Sequence, residues 1–474
     1  MSEYQVTIGI EIHCELKTKT KMFSGAPTSF GEVANTQTSV IDLGHPGCLP
    51  CVNKEAVRLA IKACGGLHCT IDPLVKFDRK NYYYSDLPKG FQITQQFHPI
   101  GKDGYVTIQT EDGPGQIRVE RIHMEEDTAK QFHKETGTYI DFNRAGTPLV
   151  EIVSRPDMHS AAEAAAYVEA LRRILFYLNV SDVKMEEGSM RCDVNISISN
   201  DPEKLGTKVE IKNLNSIANV QKAVQAEIER QTALLEAGEP IEQATRRFDE
   251  PTKTTVLMRK KEGTVDYKYF PEPNIFPIQL DQSWIDSILN SLEELPEARM
   301  ARFQKDFGLS EYDSSVLVND RDMADFYEEV MKTARDAKKA ANWVIVEMTA
   351  WLNKNNLSFA KNPASAADLA SLVNLIDEGT ISGKQGKEVF EDVMKGRKPE
   401  EVIKEKGMQQ VSDDSTLIAM INQVLDENPK SIEDFKNGKK RAVGFLMGQV
   451  MKASKGQANP KKANGLLVQE LSKR

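Results

Sequence analysis

Carboxylates occupy positions where a strand normally carries apolar side chains in the segment Arg121–Asp157. Alternate residues of a strand share one face, so Glu151 lies in an apolar row between Leu149 and Val153. Glu126 repeats this pattern one segment earlier. A buried carboxylate must be paired, and a bound cation keeps two of them ionised at once. The segment therefore contains candidate metal ligands.

Ion pairing is the alternative explanation for these carboxylates. Arg121 and Arg144 lie in the same segment, and either guanidinium is able to neutralise Glu126 or Glu151. The segment alone does not separate a metal site from an ordinary ion pair, so the decision depends on residues that face it from other strands.

A second acidic face lies at the start of the chain. Residues 4–13 alternate regularly, which predicts a strand with Glu11 and His13 on one face and isoleucines on the other. A lone histidine on a strand is usually structural. Here a carboxylate two positions away makes metal coordination a competing explanation.

The segments RCDVNISI and TKVEIKN predict two further strands, each with one apolar and one polar face. The polar faces carry Asp193, Asn195, Glu210 and Lys212. Such faces ordinarily meet water. If they converge instead with the acidic residues above, they supply the hard oxygen ligands of a Mg²⁺ site and a lysine for phosphate.

Basic and aromatic residues are interleaved in the segment KFDRKNYYYSDLPKGFQITQQ, which contains Lys80 and Lys89. This composition suits a bound phosphate with a stacked base. A strand hairpin whose tyrosines cover a core is the alternative, and the segment alone fits both.

The composition is that of a globular protein with no membrane segment. Of the 474 residues, 40% are hydrophobic and 28% are charged, and no apolar run approaches the ~20 residues that a membrane span requires. The first residues lack the basic and apolar regions of a signal peptide, so a cytoplasmic protein is expected. The six scattered cysteines form no disulfide framework, and Cys48 and Cys51 lack the further ligands of a structural zinc site.

Charge is unevenly distributed along the chain. Residues 430–474 carry 11 Lys and Arg against 3 Asp and Glu, a net +8, whereas the whole chain carries −9, which leaves −17 for the other 429 residues. A basic segment on an acidic body indicates an anionic partner, most often a nucleic acid. A merely solvated basic helical face is the simpler alternative.

Familiar nucleotide and hydrolase motifs are absent. The sequence contains no G-x-x-x-x-G-K-[ST], no G-x-S-x-G and no H-E-x-x-H. The residues alone therefore indicate Mg²⁺-dependent phosphoryl chemistry with a nucleic-acid-binding tail.

Nine motifs, taken together, resemble one family. In chain order they are GIEIHCELKTKTKMFS, KFDRKNYYYSDLPKGFQITQ, RIHMEEDTAK, DFNRAGTPLVEIVSRPDM, KMEEGSMRCDVNIS, VEIKNLNS, DYKYFPEPN, NWVIVEMTAWLN and GFLMGQVMKASKGQANP. They resemble the B subunits of the aspartyl/glutamyl-tRNA(Asn/Gln) amidotransferases, from the first strand to the last helix. The resemblance implies an ATP-dependent ligase that phosphorylates the side-chain carboxylate of misacylated Glu-tRNA(Gln) or Asp-tRNA(Asn). Ammonia from a glutaminase partner, the A subunit, then forms the amide, and the small C subunit holds the pair together.

The resemblance also implies an α+β fold in three parts. An N-terminal cradle, or kinase, domain of antiparallel sheet and helices spans residues 1–291. An all-α domain spans 296–406, and a basic all-α tail similar to the YqeY proteins spans 407–474. The prolines that follow position 270 and the helical periodicity from Pro296 onward indicate the same boundaries.

The same resemblance implies roles for individual residues. The Mg²⁺ ligands correspond to His13, Glu126 and Glu151. A catalytic polar wall beside them corresponds to Glu11, Asp193 and Glu210. Contacts to the phosphates of ATP or to the carboxylate of the substrate are assigned to Lys80, Lys89 and Lys212. A four-cysteine zinc site of some relatives corresponds here to Ser24, Ala26, Ser39 and Asp42, so no zinc is expected.

The rival function is a non-catalytic protein that binds tRNA or assembles the complex. The basic tail fits this function equally well. The acidic strand faces favour the enzyme, because without a cation they would repel the phosphates of RNA. The sequence leaves open which of the two misacylated tRNAs is the physiological substrate.

Overall fold

The computed structural model describes residues 4–201, 203–260, 266–408, 413–436, 441–454 and 458–474. The chain divides into two compact units, Met1–Pro296 and Glu297–Arg474. The first unit is a sheet with helices and the second is helical, which confirms the predicted α+β class. Among the described residues, no helix is both long enough and apolar enough to cross a bilayer.

The strands in the described part of the chain all lie in the first unit. They are β1 Gln5–Glu15, β2 Thr70–Ile71, β3 Leu74–Val75, β4 Asp78–Asn81, β5 Phe91–Thr94, β6 Gly101–Thr110, β7 Gly113–Glu126, β8 Lys130–Lys134, β9 Gly137–Asp141, β10 Pro148–Ser154, β11 Met190–Ser199, β12 Val209–Lys212, β13 Ala244–Asp249, β14 Thr254–Lys260, β15 Phe270–Pro271 and β16 Ile278–Gln279. The strands predicted from alternation at the chain start and in RCDVNISI and TKVEIKN are therefore confirmed.

The helices of the first unit begin at polar caps that the sequence supplies. They are α1 Lys54–Gly66, α2 Ala161–Tyr177, α3 Ile217–Glu236 and α4 Gln282–Leu289. A capping box is present at α2, where Ser160 accepts from the Glu163 backbone N–H and the Glu163 carboxylate accepts from the Ser160 backbone N–H. Asn53 and Ser216 cap α1 and α3 by accepting hydrogen bonds from backbone N–H groups through their side-chain oxygens.

Nine strands form the principal sheet, in the order β14-β13-β12-β11-β1-β10-β7-β6-β2. The first strand of the chain is therefore the middle strand, with β11 and β10 antiparallel on its two sides. In contrast to these antiparallel neighbours, β12 and β13 run parallel, and α3 forms the crossover between them.

The sheet has one apolar and one polar face. On β1 the side chains of Ile8, Ile10 and Ile12 are buried in the main apolar core, which also contains residues of α2 and α3 such as Leu171 and Val224. The alternate residues of β1 project from the opposite face and are only partly buried. The polar face is where the candidate site lies.

The second unit consists of short helices. They are α5 Pro296–Phe307, α6 Glu311–Val318, α7 Arg321–Met331, α8 Ala337–Asn342, α9 Thr349–Lys354, α10 Ala366–Asp377, α11 Gly383–Val393, α12 Pro399–Glu405, α13 Asp414–Glu427, α14 Pro429–Lys436, α15 Arg441–Ala453 and α16 Pro460–Leu471. A π-helical turn, Trp343–Met348, joins α8 to α9. The separation of this unit at residue 407 stays a prediction, although α13, α15 and α16 share an apolar cluster of their own.

The bundle of α13 to α16 is less basic than residues 430–474 suggest. Its first helix, α13, brings additional acids into the bundle, so that residues 407–474 contain 11 Lys and Arg against 7 Asp and Glu, a net +4. Arg474 pairs with Asp426, and Lys462 Nζ lies 2.7 Å from Asp414 Oδ1. Part of the positive charge is therefore already neutralised within the bundle.

Candidate functional site

Strand register brings a group of acids and histidines together on the polar face. In the ladder between β1 and β10, His13 stands directly opposite Glu151, and between β10 and β7, Glu151 stands opposite His123. Directly opposed residues project from the same face of a sheet, and Glu125 follows His123 by two positions on that face. Three strands thus contribute to one cluster, which consists of His13, His123, Glu125 and Glu151.

The distances within this cluster are short. His13 Nε2 lies 3.5 Å from Glu151 Oε2 and 3.9 Å from Glu125 Oε1. His123 Nε2 lies 3.3 Å from Glu151 Oε2 and 3.8 Å from Glu125 Oε2. Potential ligand atoms of His13, Glu125 and Glu151 lie within 4.8 Å of one another. The side chain of His13 is 22% exposed, so the cluster is reached from one side.

Glu126, which the family resemblance groups with His13 and Glu151, is not brought into this cluster. Successive residues of a strand project from opposite faces, so Glu126 points away from the face that carries Glu125. Its carboxylate pairs with Lys89 and accepts a hydrogen bond from the backbone N–H of Ile93 at 3.0 Å. The structure therefore offers Glu125 where the resemblance suggests Glu126.

Sequence reasoning missed Glu125 and His123, although their signal is present. In the segment Arg121–Glu126, the buried apolar residues Ile122 and Met124 alternate with His123 and Glu125. If the polar residues between these apolar ones had been taken as the candidates, His123 and Glu125 would have been selected, and these are the two that face Glu151.

The alternative in which arginine neutralises these carboxylates is not what the structure shows. Histidines accompany Glu151, and a lysine accompanies Glu126. Arg144 lies instead with its Nε 3.6 Å from Asp127 Oδ2, and Arg191 Nη2 lies 2.8 Å from the same atom. Asp127, not Glu126 or Glu151, is thus the carboxylate that Arg144 helps to neutralise.

The predicted catalytic wall continues across the same face towards β12. Glu11 stands opposite Asp193 and accepts a hydrogen bond from the Asn195 amide at 2.9 Å. Lys212 Nζ lies 2.5 Å from Asp193 Oδ2 and 3.0 Å from Glu210 Oε1. The structure therefore brings these residues onto one polar face, with Lys212 between two carboxylates.

The three assigned lysines occupy different surroundings. Lys80 lies over the ring of Tyr267, 5.0 Å from its centroid. Burial lowers the pKa of Lys80, but the nearby carboxylates, Glu125 first among them, raise it more, so the net shift is upward. The pKa of Lys212 behaves similarly, with burial outweighed by Asp193 and Glu210. Lys89 is held at Glu126.

The carboxylates of the cluster raise the pKa of both histidines. Burial alone would lower the pKa of His123, yet Glu151 and Glu125 raise that pKa to about 9. The pKa of His13 is also raised, because Glu151 and Glu125 outweigh its burial. Burial, together with the charges of Glu151 and Asp193, raises the pKa of Glu11. A site that holds excess negative charge in this way favours a divalent cation.

A cavity of about 700 Å³ opens beside the cluster. His13, Asp193 and Lys212 line it, and so do Arg144 and Arg191. The cavity contains both cations and carboxylates, so that a substrate with phosphate and carboxylate groups finds partners of both signs along one wall.

The positions that correspond to a zinc site in some relatives form a hydrogen-bonded corner here. The hydroxyls of Ser24 and Ser39 each donate to Asp42 Oδ2 at 2.9 Å, and Lys21 Nζ lies 3.5 Å from the same atom. Lys21 and Asp42 are both buried. Direct hydrogen bonds and an ion pair hold this corner together.

Known proteins match the chain along almost its whole length. Residues 6–286 match the GatB/GatE catalytic domain, and residues 325–471 match the GatB domain. The B subunit of the aspartyl/glutamyl-tRNA(Asn/Gln) amidotransferase of Bacillus licheniformis is 51% identical over 474 residues, which cover 99% of this chain and 100% of that protein. The proteins of the same name from Bacillus velezensis and Bacillus mycoides are each 50% identical, again over 99% of this chain and over 100% and 99% of their own lengths. The chain therefore belongs to the GatB/GatE family, among the aspartyl/glutamyl-tRNA(Asn/Gln) amidotransferase B subunits.

Proposed function

We propose that this chain activates the side-chain carboxylate of Glu-tRNA(Gln), Asp-tRNA(Asn) or both by transferring a phosphoryl group from ATP, and that ammonia then displaces the phosphate to form the amide. The cluster of His13, Glu125 and Glu151 supports this function most directly. Its donor atoms lie close enough together to share one cation, and His13 also lines a cavity whose wall carries lysine and arginine.

The donor set fits a divalent cation. Two carboxylates supply the hard oxygen ligands that Mg²⁺ prefers, and an imidazole is an acceptable third ligand for several divalent metals. Nδ1 of His123 is buried and has no hydrogen-bond partner among the described residues, so this second imidazole has unused capacity beside the cluster. When bound, Mg²⁺ would neutralise charge on the phosphates of ATP.

The side chains of the polar face would position the two anionic reactants. Glu125 and Glu151 would bind the cation through their carboxylates, and the imidazole of His13, on β1, would be the third ligand. Lys80, whose pKa these carboxylates raise, would attract a phosphate oxygen once the cation has taken up their charge. Lys212 is placed to exchange one of its carboxylate partners, Asp193 or Glu210, for an anionic group of the substrate. Glu11 stands opposite Asp193 on this face, which supports its assigned role, whereas Lys89 is paired with Glu126 and its role stays a prediction.

Partners would supply the ammonia and complete the enzyme. The relatives are named as the B subunit of an amidotransferase, and we infer that a glutaminase A subunit and a small C subunit accompany this chain as well. The sequence itself shows no glutaminase nucleophile motif, which fits ammonia production on another chain. The tail, residues 407–474, would contribute to holding the tRNA, and the complex would work in the cytoplasm, where charged tRNA and ATP are available.

Steady-state assays of the purified complex test this function. Formation of ADP and of amidated tRNA is measured with misacylated tRNA, with and without Mg²⁺. We expect both products to require Mg²⁺ and to disappear in Glu151→Gln, while glutamine hydrolysis continues. If instead Glu151→Gln supports wild-type amide formation and merely binds tRNA differently, the non-catalytic function is the better description.

A further inference from the structure

The hairpin of β8 and β9 carries an aromatic face that the chemistry above does not use. Phe132 stands directly opposite Tyr139 in this hairpin, so both rings project from one face. Both side chains are exposed to solvent, Phe132 to 40% and Tyr139 to 52%. Two exposed rings on one face of a two-stranded ribbon contribute little to folding, which points to a role in binding.

Each ring has a lysine beside it. Lys130 Nζ lies 5.2 Å from the centroid of the Phe132 ring, and Lys134 Nζ lies 5.2 Å from that of Tyr139. Lys130, Phe132 and Lys134 alternate along β8, so all three share the face of Tyr139. We call these four residues the hairpin face. Proteins bind unpaired nucleotides with aromatic rings, on which the bases stack, and with nearby cations, which contact the phosphates.

The base of the hairpin is fixed to the loop before α1. The backbone N–H of Asn35 donates to Asp141 Oδ1 at 3.0 Å, and the Phe142 N–H donates to Asn35 Oδ1 at 2.8 Å. The Asn143 amide donates to the Val33 carbonyl at 2.8 Å. A ribbon anchored at its base presents its rings in a defined position, which lowers the entropic cost of stacking.

The hairpin face also borders the candidate site. Lys130 and Phe132 line the same 700 Å³ cavity as His13 and Lys212. A nucleotide stacked on Phe132 would therefore lie at the cavity that His13, a member of the acidic cluster, also lines.

We propose that the hairpin face binds the unpaired nucleotides at the 3′ end of the tRNA and so directs the aminoacyl group into the cavity, an inference that rests on the proposed function. A ring-and-lysine pair occurs twice along the hairpin, which suits successive nucleotides of a strand better than a single mononucleotide. A base-paired stem is excluded as the occupant of the rings because its bases are stacked on one another.

Binding of intact and 3′-trimmed tRNA to the full complex tests this proposal. Stacking is worth about 1–3 kcal/mol per base, so Phe132→Ala and Tyr139→Ala should each weaken binding of intact tRNA by about 5- to 150-fold. Neither variant should change binding of tRNA that lacks its unpaired 3′ nucleotides. Phe132→Trp, which keeps a stacking surface, should restore binding.

His133→Ala is the matched control, because His133 lies on the same strand but on the opposite face of the hairpin. It should bind both tRNAs as the wild type does. Two results would overturn the proposal: equal affinities of Phe132→Ala and wild type for intact tRNA, or an equal loss for intact and trimmed tRNA. A raised KM for ATP with unchanged tRNA binding would also overturn it, since adenine of ATP would then be the occupant.

Failure of the proposed function gives a different result. A wild-type complex that binds no misacylated tRNA, or that never forms ADP, removes the basis of both proposals before any hairpin variant is compared. If Phe132→Ala lowers the melting temperature of the complex, the test relies on Tyr139→Ala alone. The Tyr139 ring is the more exposed of the two, so its loss should affect folding less.

Discussion

His13 stands directly opposite Glu151 in the ladder between β1 and β10, and their side chains approach to 3.5 Å. This pairing joins the first strand of the chain to a strand that follows more than a hundred residues later. Because His123 faces Glu151 from the other side, the carboxylate lies between two imidazoles on three adjacent strands. The position of Glu151 at the centre makes it the residue whose loss should affect the cluster most.

We expect binding of the divalent cation to depend on Glu125 rather than on Glu126. Glu125→Gln and Glu151→Gln should each weaken binding of Mn²⁺, a probe for Mg²⁺, by at least about 10-fold and reduce amide formation by about 100-fold or more, because each removes a charged donor. Glu126→Gln is the neighbouring control and should leave Mn²⁺ affinity within about 3-fold of the wild type. Electron paramagnetic resonance titration measures the affinity. Loss of Mn²⁺ binding in Glu126→Gln with retention in Glu125→Gln would reverse the assignment.

The corner around Asp42 is expected to be a strong structural element. Asp42→Ala leaves the Lys21 ammonium buried without its partner and should lower the free energy of unfolding by about 3–5 kcal/mol. Replacing both charges, as in Lys21→Met with Asp42→Leu, should cost less than Asp42→Ala alone. Urea unfolding of the three proteins measures the difference. If Asp42→Ala and the wild type are equally stable, the ion pair between Lys21 and Asp42 contributes nothing to the free energy of unfolding.

Glu227 should make stability depend on pH in acid. Its carboxylate, in α3, is buried, which by itself raises its pKa, but bonds from Arg230, Thr255 and Gln231 lower the pKa below its ordinary value of 4.5. A lowered folded-state pKa contributes stability that is present above about pH 4.5 and is lost as the pH falls through the folded pKa. The stability difference between wild type and Glu227→Gln should therefore shrink in acid. A difference that stays constant from pH 7 to pH 3 would contradict this.

Salt dependence should reveal which tail cations meet tRNA. Lys430 and Lys452 are exposed, whereas Lys462 is paired with Asp414. Lys430→Gln and Lys452→Gln should each reduce the slope of log K against log salt by up to about 0.9 for every duplex phosphate that is no longer neutralised. Lys462→Gln should change the slope less, because its charge is already partly neutralised. Equal slopes for all three variants and wild type would mean that the tail does not bind the tRNA phosphates.

Local sequence patterns predict the strands and helices well, but they do not predict which distant strands pair with one another. Alternation locates β1 and β11, and the Ser160 capping box locates α2. Nothing in the sequence specifies that β1 lies between β10 and β11, and this register decides which carboxylate joins His13. The assignment of Glu126 rests on the family resemblance and on its place in a row with Ile122 and Met124, and that row marks the face that turns towards the core.

A count along the sequence overestimates the charge of the tail for a similar reason. Residues 430–474 form one basic segment of the sequence, but α13 packs with the following helices and brings Asp414 and Asp426 beside Lys462 and Arg474. Such a count omits acids that tertiary packing places next to the basic residues. The net charge of a packed bundle, here +4, is the better guide to its attraction for RNA.

The central position of β1 has a consequence for biosynthesis. Its two partners, β10 and β11, are complete only when the chain has been made as far as Ser199. At about 5–20 residues per second, the ribosome needs on the order of 10–40 s to reach that point after making β1. The apolar row of Ile8, Ile10 and Ile12 has neither neighbouring strand until Ser154 has been made, and only β10 from then until Ser199. The nascent chain therefore presents an unpaired apolar strand that a chaperone can bind, and folding of the whole first unit waits for residues far downstream.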